Sequence, residues 1–401
     1  MARADRHTST GIADMQLPRI VLLLSVLALT LIGLVMVFST SSVDLVEAGK
    51  NPLRDTLTQG GFALAGAVLI FILWKFVPYR AWLGRLTWFA WLVGIALIVA
   101  TALFGTDLDT GARRWLYVGS IGGQPSEIVK ITLLLMTIRI IADARSGTIE
   151  WKACIIQLFL LVLIPLLIQY RTQSDLGTTL IIVVGAFAVA YLGGISTRLL
   201  GAVAVIGAGL VVVSIFGSDY RSGRMVYLDP WNDGEGGYGS GYNIIRSYYA
   251  IAEGGLFGVG LGNSHEKFAY LFASESDFIF SIVCEELGMA GALLVIALFL
   301  AVLWSGLRIA AASPDDVGAM IAGGCSIMLV AQAFLNMGCA IGVLPTTGKP
   351  LPFISSGGTA LIASMVLVGL VLSVSAAERE PSVYERRRAD LRIVRAEGAR
   401  R

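Results

Sequence analysis

The residues with the greatest chemical potential lie where a glycine-rich stretch meets a long apolar run, in the segment 254–288, GGLFGVGLGNSHEKFAYLFASESDFIFSIVCEELG. Asp277 stands immediately before Phe278 and the apolar residues that follow it. Its carboxylate is therefore expected where a membrane-spanning helix begins, with Glu285 and Glu286 further along that helix. Ionisable groups at such positions are costly and usually serve a function. Asp277 is thus the first candidate for an active-site residue.

The composition restricts the chemistry that these residues can perform. Only two histidines are present, His7 and His265, which argues against His-rich metal centres and Ser-His catalysis. The cysteines lie in apolar stretches without paired spacing, so neither a disulfide framework nor a zinc site is indicated; they are Cys154, Cys284, Cys325 and Cys339. A catalytic mechanism must therefore use carboxylates, lysine, arginine, hydroxyl groups or a carboxylate-bound ion.

Glu127 and Lys130 form a second candidate cluster, in the stretch QPSEIVK. Because Pro125 suits the first turn of a helix, these two residues are expected three apart on one helix face, within an apolar segment. Two interpretations are open. The pair is a structural intramembrane ion pair, or Lys130 faces a phosphate-bearing substrate while Glu127 holds the lysine in place.

Three further clusters fall near predicted helix ends. Arg113 and Arg114 precede a tryptophan, so they fit either phosphate oxygens or an interfacial anchor. Asp175 is expected either to cap the helix that follows it or to face the same vestibule as Asp277. Ser355 and Ser356 lie in PTTGKPLPFISSGG, whose prolines and glycines forbid a continuous helix; they could bind an anion, unless the stretch is a simple surface loop.

The elements that must position these residues are membrane-spanning helices. Of the 401 residues 56% are hydrophobic and 14% are charged, against about a quarter charged in soluble proteins. A net charge of +2 and the lack of a basic, aromatic-rich stripe argue against nucleic-acid binding. An all-α polytopic membrane protein with about ten spans is predicted, at roughly 20–38, 60–77, 86–104, 127–142, 153–169, 176–192, 199–216, 278–303, 318–341 and 358–376.

The predicted organisation is a short tail (1–18), a transmembrane domain (19–377) and an Arg-rich tail (378–401). One large loop, 217–277, separates spans seven and eight, and its aromatic residues favour folding onto the membrane surface over a flexible lid. An even number of spans places both termini on one side. The excess of Lys and Arg in the C-terminal tail makes that side cytoplasmic, so the candidate clusters all map to the extracytoplasmic face.

The assembled motifs resemble the SEDS family (shape, elongation, division and sporulation) of bacterial peptidoglycan polymerases, over about residues 17–378. They occur in family order: GARRWL, QPSEIVK, QSDLGTT, GGLFGVGLGNS, SDFIFSIVCEELG and LPFISSGG. The segment GVGLGNSHEK is more similar to the division branch, FtsW, than to the elongation branch, RodA. The chain departs from the family pattern at several positions, among them Ser356 for tyrosine, Ser174 for proline and Arg246 for glutamine.

The resemblance implies a ten-helix fold in the bacterial plasma membrane and an inverting glycosyltransferase that polymerises lipid II. It also implies a class B penicillin-binding protein and other divisome membrane proteins as partners. In the family the acid that matches Asp277 is catalytic, and a general base is the role that suits it. The negative charge of the leaving pyrophosphate must be neutralised by positive charge. One source is a divalent cation (Mg²⁺ or Mn²⁺) near Asp277. The other is basic residues, for which the candidates are Lys130, Arg113, Arg114, Arg246 and Lys267.

Two other functions are compatible with the same features. A lipid II flippase would also need intramembrane charges, although the acids cluster at one face and no inverted repeat is visible. A non-enzymatic scaffold of the division complex would not need Asp277 or the Glu127–Lys130 pair. The sequence leaves open the choice between division, elongation and sporulation, the activating partner, the metal requirement, the activity of the isolated subunit and the oligomeric state.

Overall fold

The computed structural model describes residues 10–106, 113–119, 121–216, 223–268 and 270–377. Parts of the predicted tails and the first residues of the large loop lie outside these ranges. The described residues form twelve α-helices: α1 (Thr10–Glu47), α2 (Arg54–Phe76), α3 (Arg85–Phe104), α4 (Ser126–Arg145), α5 (Trp151–Leu158), α6 (Ile164–Gln173), α7 (Leu176–Leu192), α8 (Thr197–Phe216), α9 (Tyr242–Gly254), α10 (Ile279–Ala311), α11 (Asp316–Ala340) and α12 (Gly358–Ser375).

Short elements connect these helices. An antiparallel hairpin, β1 (Leu116–Val118) and β2 (Ile121–Gly123), lies between α3 and α4. A π turn, Phe159–Leu163, joins α5 to α6 just before Pro165. Proline has no amide hydrogen to donate to the preceding turn, so an interruption of the helical ladder at this point is expected. The large loop contains a 3₁₀ turn at Gly223–Leu228 and the whole of α9.

The prediction of a polytopic helical membrane protein is confirmed. Among the described residues, seven helical segments are long and apolar enough to cross a membrane: α1, α2, α3, α5 with α6, α10, α11 and α12. The remaining three predicted spans are the helices α4, α7 and α8. All ten predicted segments are thus helical within the described part of the chain. Hydropathy succeeds here because in lipid every backbone polar group must be bonded inside its own helix.

The helices form a buried centre surrounded by lipid-facing helices. In α11 and α12 72% and 78% of the most apolar stretch is buried, against 17% in α2 and 22% in α3. The centre also includes α4, which packs on α7, α11 and α12. Because α4 carries both Glu127 and Lys130, its charges lie inside the bundle rather than against lipid.

Helix α10 is interrupted at Gly288, where φ is 68° and ψ is −167°. The glycine-rich segment 255–260 runs alongside this break and bonds to the backbone groups next to it. Its amide groups donate to the carbonyls of Glu285 and Glu286, and its carbonyls accept from the amides of Met289 and Ala290, at distances of 2.9–3.1 Å. The loop therefore supplies hydrogen bonds where the helical ladder is broken.

Two glycines allow this close contact. A Cβ atom at Gly254 would lie 1.9 Å from the Cys284 carbonyl oxygen, and one at Gly258 would lie 2.1 Å from the Glu286 carbonyl oxygen. Neither backbone position can accept a side chain without moving the helix. Gly254 and Gly258 of the motif GGLFGVGLG are thus explained by backbone packing on α10, while Gly255, Gly260 and Gly262 have positive φ.

The end of the bundle opposite the large loop is held by polar contacts. Asp315 accepts from the Gly318 amide at 2.8 Å and so caps α11, while the Tyr79 hydroxyl donates to the same carboxyl group at 2.8 Å. Arg19 near the start of α1 bonds to Ser375 at the end of α12. The first and last described helices therefore begin and end on one side of the molecule.

Candidate active site

A cavity of about 220 Å³ opens at the end of the bundle that carries the large loop. The β-hairpin, the start of α4, the turn before α10 and the segment 345–358 form its walls. We call it the Asp277 cavity. The lining residues most relevant to chemistry are Arg114, Glu127, Asp277, Gly348, Ser356 and Gly357.

Asp277 is fixed in the turn that leads into α10. Its amide donates to the Ala273 carbonyl at 3.1 Å, and Ala273 adopts a left-handed conformation with φ of 57°. The Asn336 side chain on α11 donates to the backbone carbonyls of both Asp277 and Lys349, each at 2.8 Å. Asn336 thereby joins the turn that holds Asp277 to the segment across the cavity.

The Asp277 carboxyl group is half-buried and faces the cavity. Burial raises its pKa above the usual range, and the neighbouring charges of Lys349 and Arg114 offset that effect only in part. A Cβ atom at Gly348 would lie 3.5 Å from Asp277 Oδ2 and 3.8 Å from Arg114 Nη1, which places these two charged groups beside one another.

Asp175 does not line the cavity. It caps α7 by accepting from the Thr178 amide at 3.0 Å, and it binds Lys349 Nζ at 2.6 Å. Both members of this ion pair are fully buried. The predicted cap is therefore present, and the role of Asp175 in the site is to hold a lysine next to Asp277.

The Glu127–Lys130 pair is present, with 2.5 Å between Lys130 Nζ and Glu127 Oε2. Lys130 also donates to Gln332, whose amide nitrogen donates to the Pro350 carbonyl at 3.0 Å. Lys130 is not among the residues that line the cavity, but Glu127 is, and its Oε1 has no hydrogen-bond partner. The ion pair of the first interpretation is present, and of its two members the acid rather than the lysine lines the cavity.

Arg114 lines the cavity, and Arg113 is exposed outside it. The Arg114 guanidinium donates to the Gln173 and Ser174 carbonyls, each at 2.8 Å. Ser174 adopts a left-handed conformation with φ of 48°, which directs the chain out of α6. Arg114 therefore connects the hairpin to the end of α6 while its Nη1 remains near Asp277.

The serines of LPFISSGG have different environments. The Ser355 hydroxyl donates to the Ser276 carbonyl at 2.5 Å and accepts from the Leu351 amide, so its hydrogen-bonding capacity serves the fold. Ser356 lines the cavity. The Gly357 amide donates to Gln59 Oε1 at 3.3 Å. Of the predicted anion ligands in this segment, Ser356 is the one at the cavity.

Arg246 and Lys267, the two other predicted pyrophosphate ligands, do not line the Asp277 cavity. Arg246 Nη1 lies 3.3 Å from Glu266, and Lys267 Nζ lies 3.0 Å from Glu286 Oε1. Lys267 and Glu286 are both fully buried. Each base is thus paired with an acid that would otherwise be buried without a counter-charge.

Sequence reasoning missed Lys349, Gln332, Asn336 and Gln59 as residues that build the site. Lys349 was visible as the one charge in PTTGKPLPF, a segment expected to pass close to the anion site. Its partner lies 174 residues away in the chain, and no local pattern indicates that pairing.

A second, apolar cavity of about 370 Å³ adjoins the first and shares Gly122 and Thr359 with it. It lies between α2, α3, α4 and α12, where Phe62, Ile131 and Val366 are among the lining residues. The two cavities together suit a ligand with a charged, polar head and a long apolar chain.

The chain is similar to known proteins over most of its length. Residues 19–380 match the model of the cell cycle protein family FTSW_RODA_SPOVE. Stage V sporulation protein E of Bacillus subtilis is 34% identical over 362 residues, 89% of this chain and 97% of that protein. The peptidoglycan glycosyltransferase MrdB of Escherichia coli is 35% identical over 358 residues, 88% of this chain and 92% of that protein.

Two solved structures have similar folds. One comes from a study of how a peptidoglycan synthase complex coordinates polymerization and crosslinking. Its TM-score is 0.70 and its sequence identity is 27%, and the match covers 88% of this chain and 96% of that chain. The other is the rod shape determining protein RodA of Thermus thermophilus, with a TM-score of 0.63 and 26% identity, covering 88% of this chain and 95% of that one.

Proposed function

This chain belongs to the FtsW/RodA/SpoVE family of cell cycle proteins, the SEDS family. It is a multi-pass bacterial membrane protein and a peptidoglycan glycosyltransferase. We propose that it polymerises lipid II into β-1,4-linked glycan strands. The observation that supports this proposal best is the Asp277 cavity. It contains a half-buried carboxylate, Asp277, and a guanidinium group, Arg114, and it adjoins the apolar cavity. These features suit a sugar pyrophosphate attached to a polyprenyl chain.

Asp277 acts as the general base in this proposal. Its carboxylate takes the proton from the 4-hydroxyl of the acceptor GlcNAc as that oxygen attacks the anomeric carbon of the donor MurNAc. The bond from that carbon to the pyrophosphate oxygen breaks, and undecaprenyl pyrophosphate leaves with the bonding electrons. One displacement converts the α-linked donor to a β-linked product. The pKa of Asp277, raised by burial, makes it a stronger base than an exposed aspartate.

Arg114 is the basic residue best placed to neutralise the leaving pyrophosphate, because it lines the same cavity as Asp277. Lys349 contributes positive charge from behind the cavity wall. A divalent cation is the alternative: Glu127 and Asp277 both line the cavity, and the Glu127 Oε1 without a partner is a suitable oxygen ligand for Mg²⁺ or Mn²⁺. When bound, such a cation would stabilise negative charge on the leaving phosphate. Polymer formation in the presence and absence of a chelator distinguishes the two.

The proposed partner is a class B penicillin-binding protein, with the active site on the extracytoplasmic face, both termini in the cytoplasm and other divisome membrane proteins nearby. One similar structure belongs to a peptidoglycan synthase complex. A division role is proposed from the FtsW-like segment GVGLGNSHEK, while relatives with about the same identity are named for sporulation and as MrdB. Depletion in the native bacterium tests the role, because filamentous cells indicate division and rounded cells indicate elongation.

The decisive experiment measures glycan-strand formation from purified lipid II by wild type and Asp277→Asn, each alone and with a class B partner. We expect the variant to lose polymerisation by at least about 100-fold while it still binds the partner. Asp55→Asn, on α2 and outside the cavity, is the matched control and should retain activity. Wild-type activity in Asp277→Asn would refute the base assignment. If wild type forms no polymer even with the partner, a flippase assay becomes the next test.

A further inference from the structure

Five carboxylate residues are buried within the described part of the chain: Glu127, Asp175, Glu266, Glu285 and Glu286. Four of them have a lysine or arginine nitrogen within 4 Å. The pairs are Glu127–Lys130, Asp175–Lys349, Glu266–Arg246 and Glu286–Lys267. Glu285, which is fully buried, has no such cation among the described residues. A buried carboxylate without a counter-charge is strongly unfavourable.

The hydrogen bonds of Glu285 come from neutral donors. Its carboxylate accepts from the Ser264 hydroxyl at 2.6 Å, from the His265 amide at 2.6 Å and from the Glu266 amide at 3.4 Å. These contacts hold the carboxylate in one orientation. None of these three donors carries a formal positive charge.

Two further ligand groups face Glu285. His265 Nδ1, a Glu253 carboxylate oxygen and a Glu285 carboxylate oxygen all lie within 4.8 Å of one another. His265 Nδ1 and Glu253 Oε1 are 2.9 Å apart. Atoms that share a metal ion with bonds of about 2.0–2.2 Å are separated by roughly 3–4.5 Å, so only small side-chain movements are needed to bring all three onto one ion.

Glu266 adds a second observation at the same place. It is 95% buried, since its exposed fraction is 5%, and its Oε2 has no hydrogen-bond partner. Its backbone amide lies 3.4 Å from Glu285 Oε1, so Glu266 is next to the three ligand groups. Arg246, 3.3 Å from Glu266 Oε1, is the cation paired with it.

We propose that Glu253, His265 and Glu285 bind one divalent transition-metal ion, for which Zn²⁺ is the best fit, at a site separate from the Asp277 cavity. One imidazole nitrogen, two carboxylates and a water molecule would complete a tetrahedral Zn²⁺ site. Glu253 lies at the end of α9, His265 in the stretch between α9 and α10, and Glu285 on α10. The ion would therefore hold the loop and α9 against the broken helix.

The site has an accessible side. His265 and Glu253 have side-chain exposures of 71% and 42%, while Glu285 is buried. An ion can thus enter from the aqueous face and complete its coordination with water. None of the three residues lines the Asp277 cavity, so the inference does not depend on the proposed glycosyltransferase mechanism.

The test uses the full-length protein purified in detergent and treated with a chelator. Thermal unfolding is followed during titration with Zn²⁺, Mn²⁺ or Mg²⁺. We expect a saturable, one-to-one stabilisation by Zn²⁺, a weaker effect of Mn²⁺ and none of Mg²⁺. Co²⁺ should give visible absorption bands of a tetrahedral complex, which provides a readout that does not depend on stability.

Glu253→Gln and His265→Gln change exposed residues and should therefore fold. Each should weaken Zn²⁺ binding by more than about 10-fold, since even second-sphere changes have effects of that size. His7→Gln alters the other histidine of the chain and should leave binding unchanged. Equal binding by His265→Gln and wild type would overturn the proposal. So would stabilisation that depends on low pH but not on Zn²⁺, because protonated His265 alone would then be the counter-charge of Glu285.

Discussion

At the scale of single residues, the properties of Asp277 result from opposing electrostatic effects. Burial raises the pKa of its carboxyl group, and Lys349 and Arg114 lower it. Lys349 is itself kept in place by the buried ion pair with Asp175, 2.6 Å away. The net result is a raised pKa, so the base becomes protonated at a higher pH than an exposed aspartate would.

The first prediction concerns the pH dependence of polymerisation. The base must be ionised, so activity is lost as pH falls through the pKa of Asp277. Lys349→Met removes one effect that lowers this pKa, so the acid limb of the pH–rate profile should move to higher pH. Lys349→Arg retains the charge and should leave the limb near its wild-type position. A limb that does not move in folded Lys349→Met protein would show that Lys349 has no electrostatic effect on the base.

The second prediction concerns Gly348, whose φ of +65° is unfavourable for other residues. In Gly348→Ala the new methyl group would project between Asp277 and Arg114, where substrate is expected. Activity should fall at least about 10-fold, with a stability loss of only about 1–2 kcal/mol. Gly147→Ala provides the control, because Gly147 has φ of +75° and open space around it. Equal activity in the two variants would argue against substrate between these groups.

At the scale of secondary-structure elements, the broken helix α10 and the glycine-rich segment 255–260 form one unit. The break at Gly288 frees backbone groups, and the loop bonds to them. Free backbone groups at membrane depth are unfavourable, so neither part is expected to be stable without the other. The turn that carries Asp277 is the direct extension of this unit.

The third prediction tests that unit with two glycines of similar conformation. Gly258 and Gly262 have φ of +80° and +81°, but only a Cβ at Gly258 would collide with backbone, 2.1 Å from the Glu286 carbonyl oxygen. Gly258→Ala should therefore destabilise the protein by about 1–3 kcal/mol more than Gly262→Ala. Thermal unfolding in detergent measures the difference. Indistinguishable melting temperatures would mean that the close approach is not maintained in solution.

At the scale of the whole molecule, buried ion pairs connect parts of the chain that are far apart in sequence. Lys267 in the large loop binds both Glu286 on α10 and the Ser39 hydroxyl on α1, each at 3.0 Å. Lys349 joins the segment between α11 and α12 to Asp175 at the start of α7. These contacts define how the loop and the helices meet around the cavity.

The fourth prediction is a double-mutant cycle on the pair Lys267–Glu286. Glu286→Gln leaves the buried lysine without its partner and should cost about 3–5 kcal/mol. Lys267→Met combined with Glu286→Gln removes both charges and should recover most of that loss. Unfolding by heat or denaturant gives the coupling energy. Additive effects of the two single changes would show that the pair does not contribute as a unit.

Several features of the site were determined by sequence because they depend on local patterns. The ten helical segments follow from hydropathy, and Asp277 precedes α10 as predicted. The Glu127–Lys130 pair also follows from spacing, because residues three apart on a helix are neighbours. The assignment to a family of membrane glycosyltransferases likewise rested on motifs that are continuous in the chain.

Only the tertiary structure decided which charged groups share the cavity. Arg246 and Lys267 were plausible phosphate ligands by residue type, but each forms an ion pair with a buried acid on another element, Glu266 and Glu286. Lys349 acquired its role through an acid 174 residues away, and the cluster at His265 combines three elements without metal-site spacing. A buried charge is stable only beside an opposite charge or a ligand. Which group becomes its partner depends on distances in the folded structure, and these cannot be read from residue spacing in the sequence.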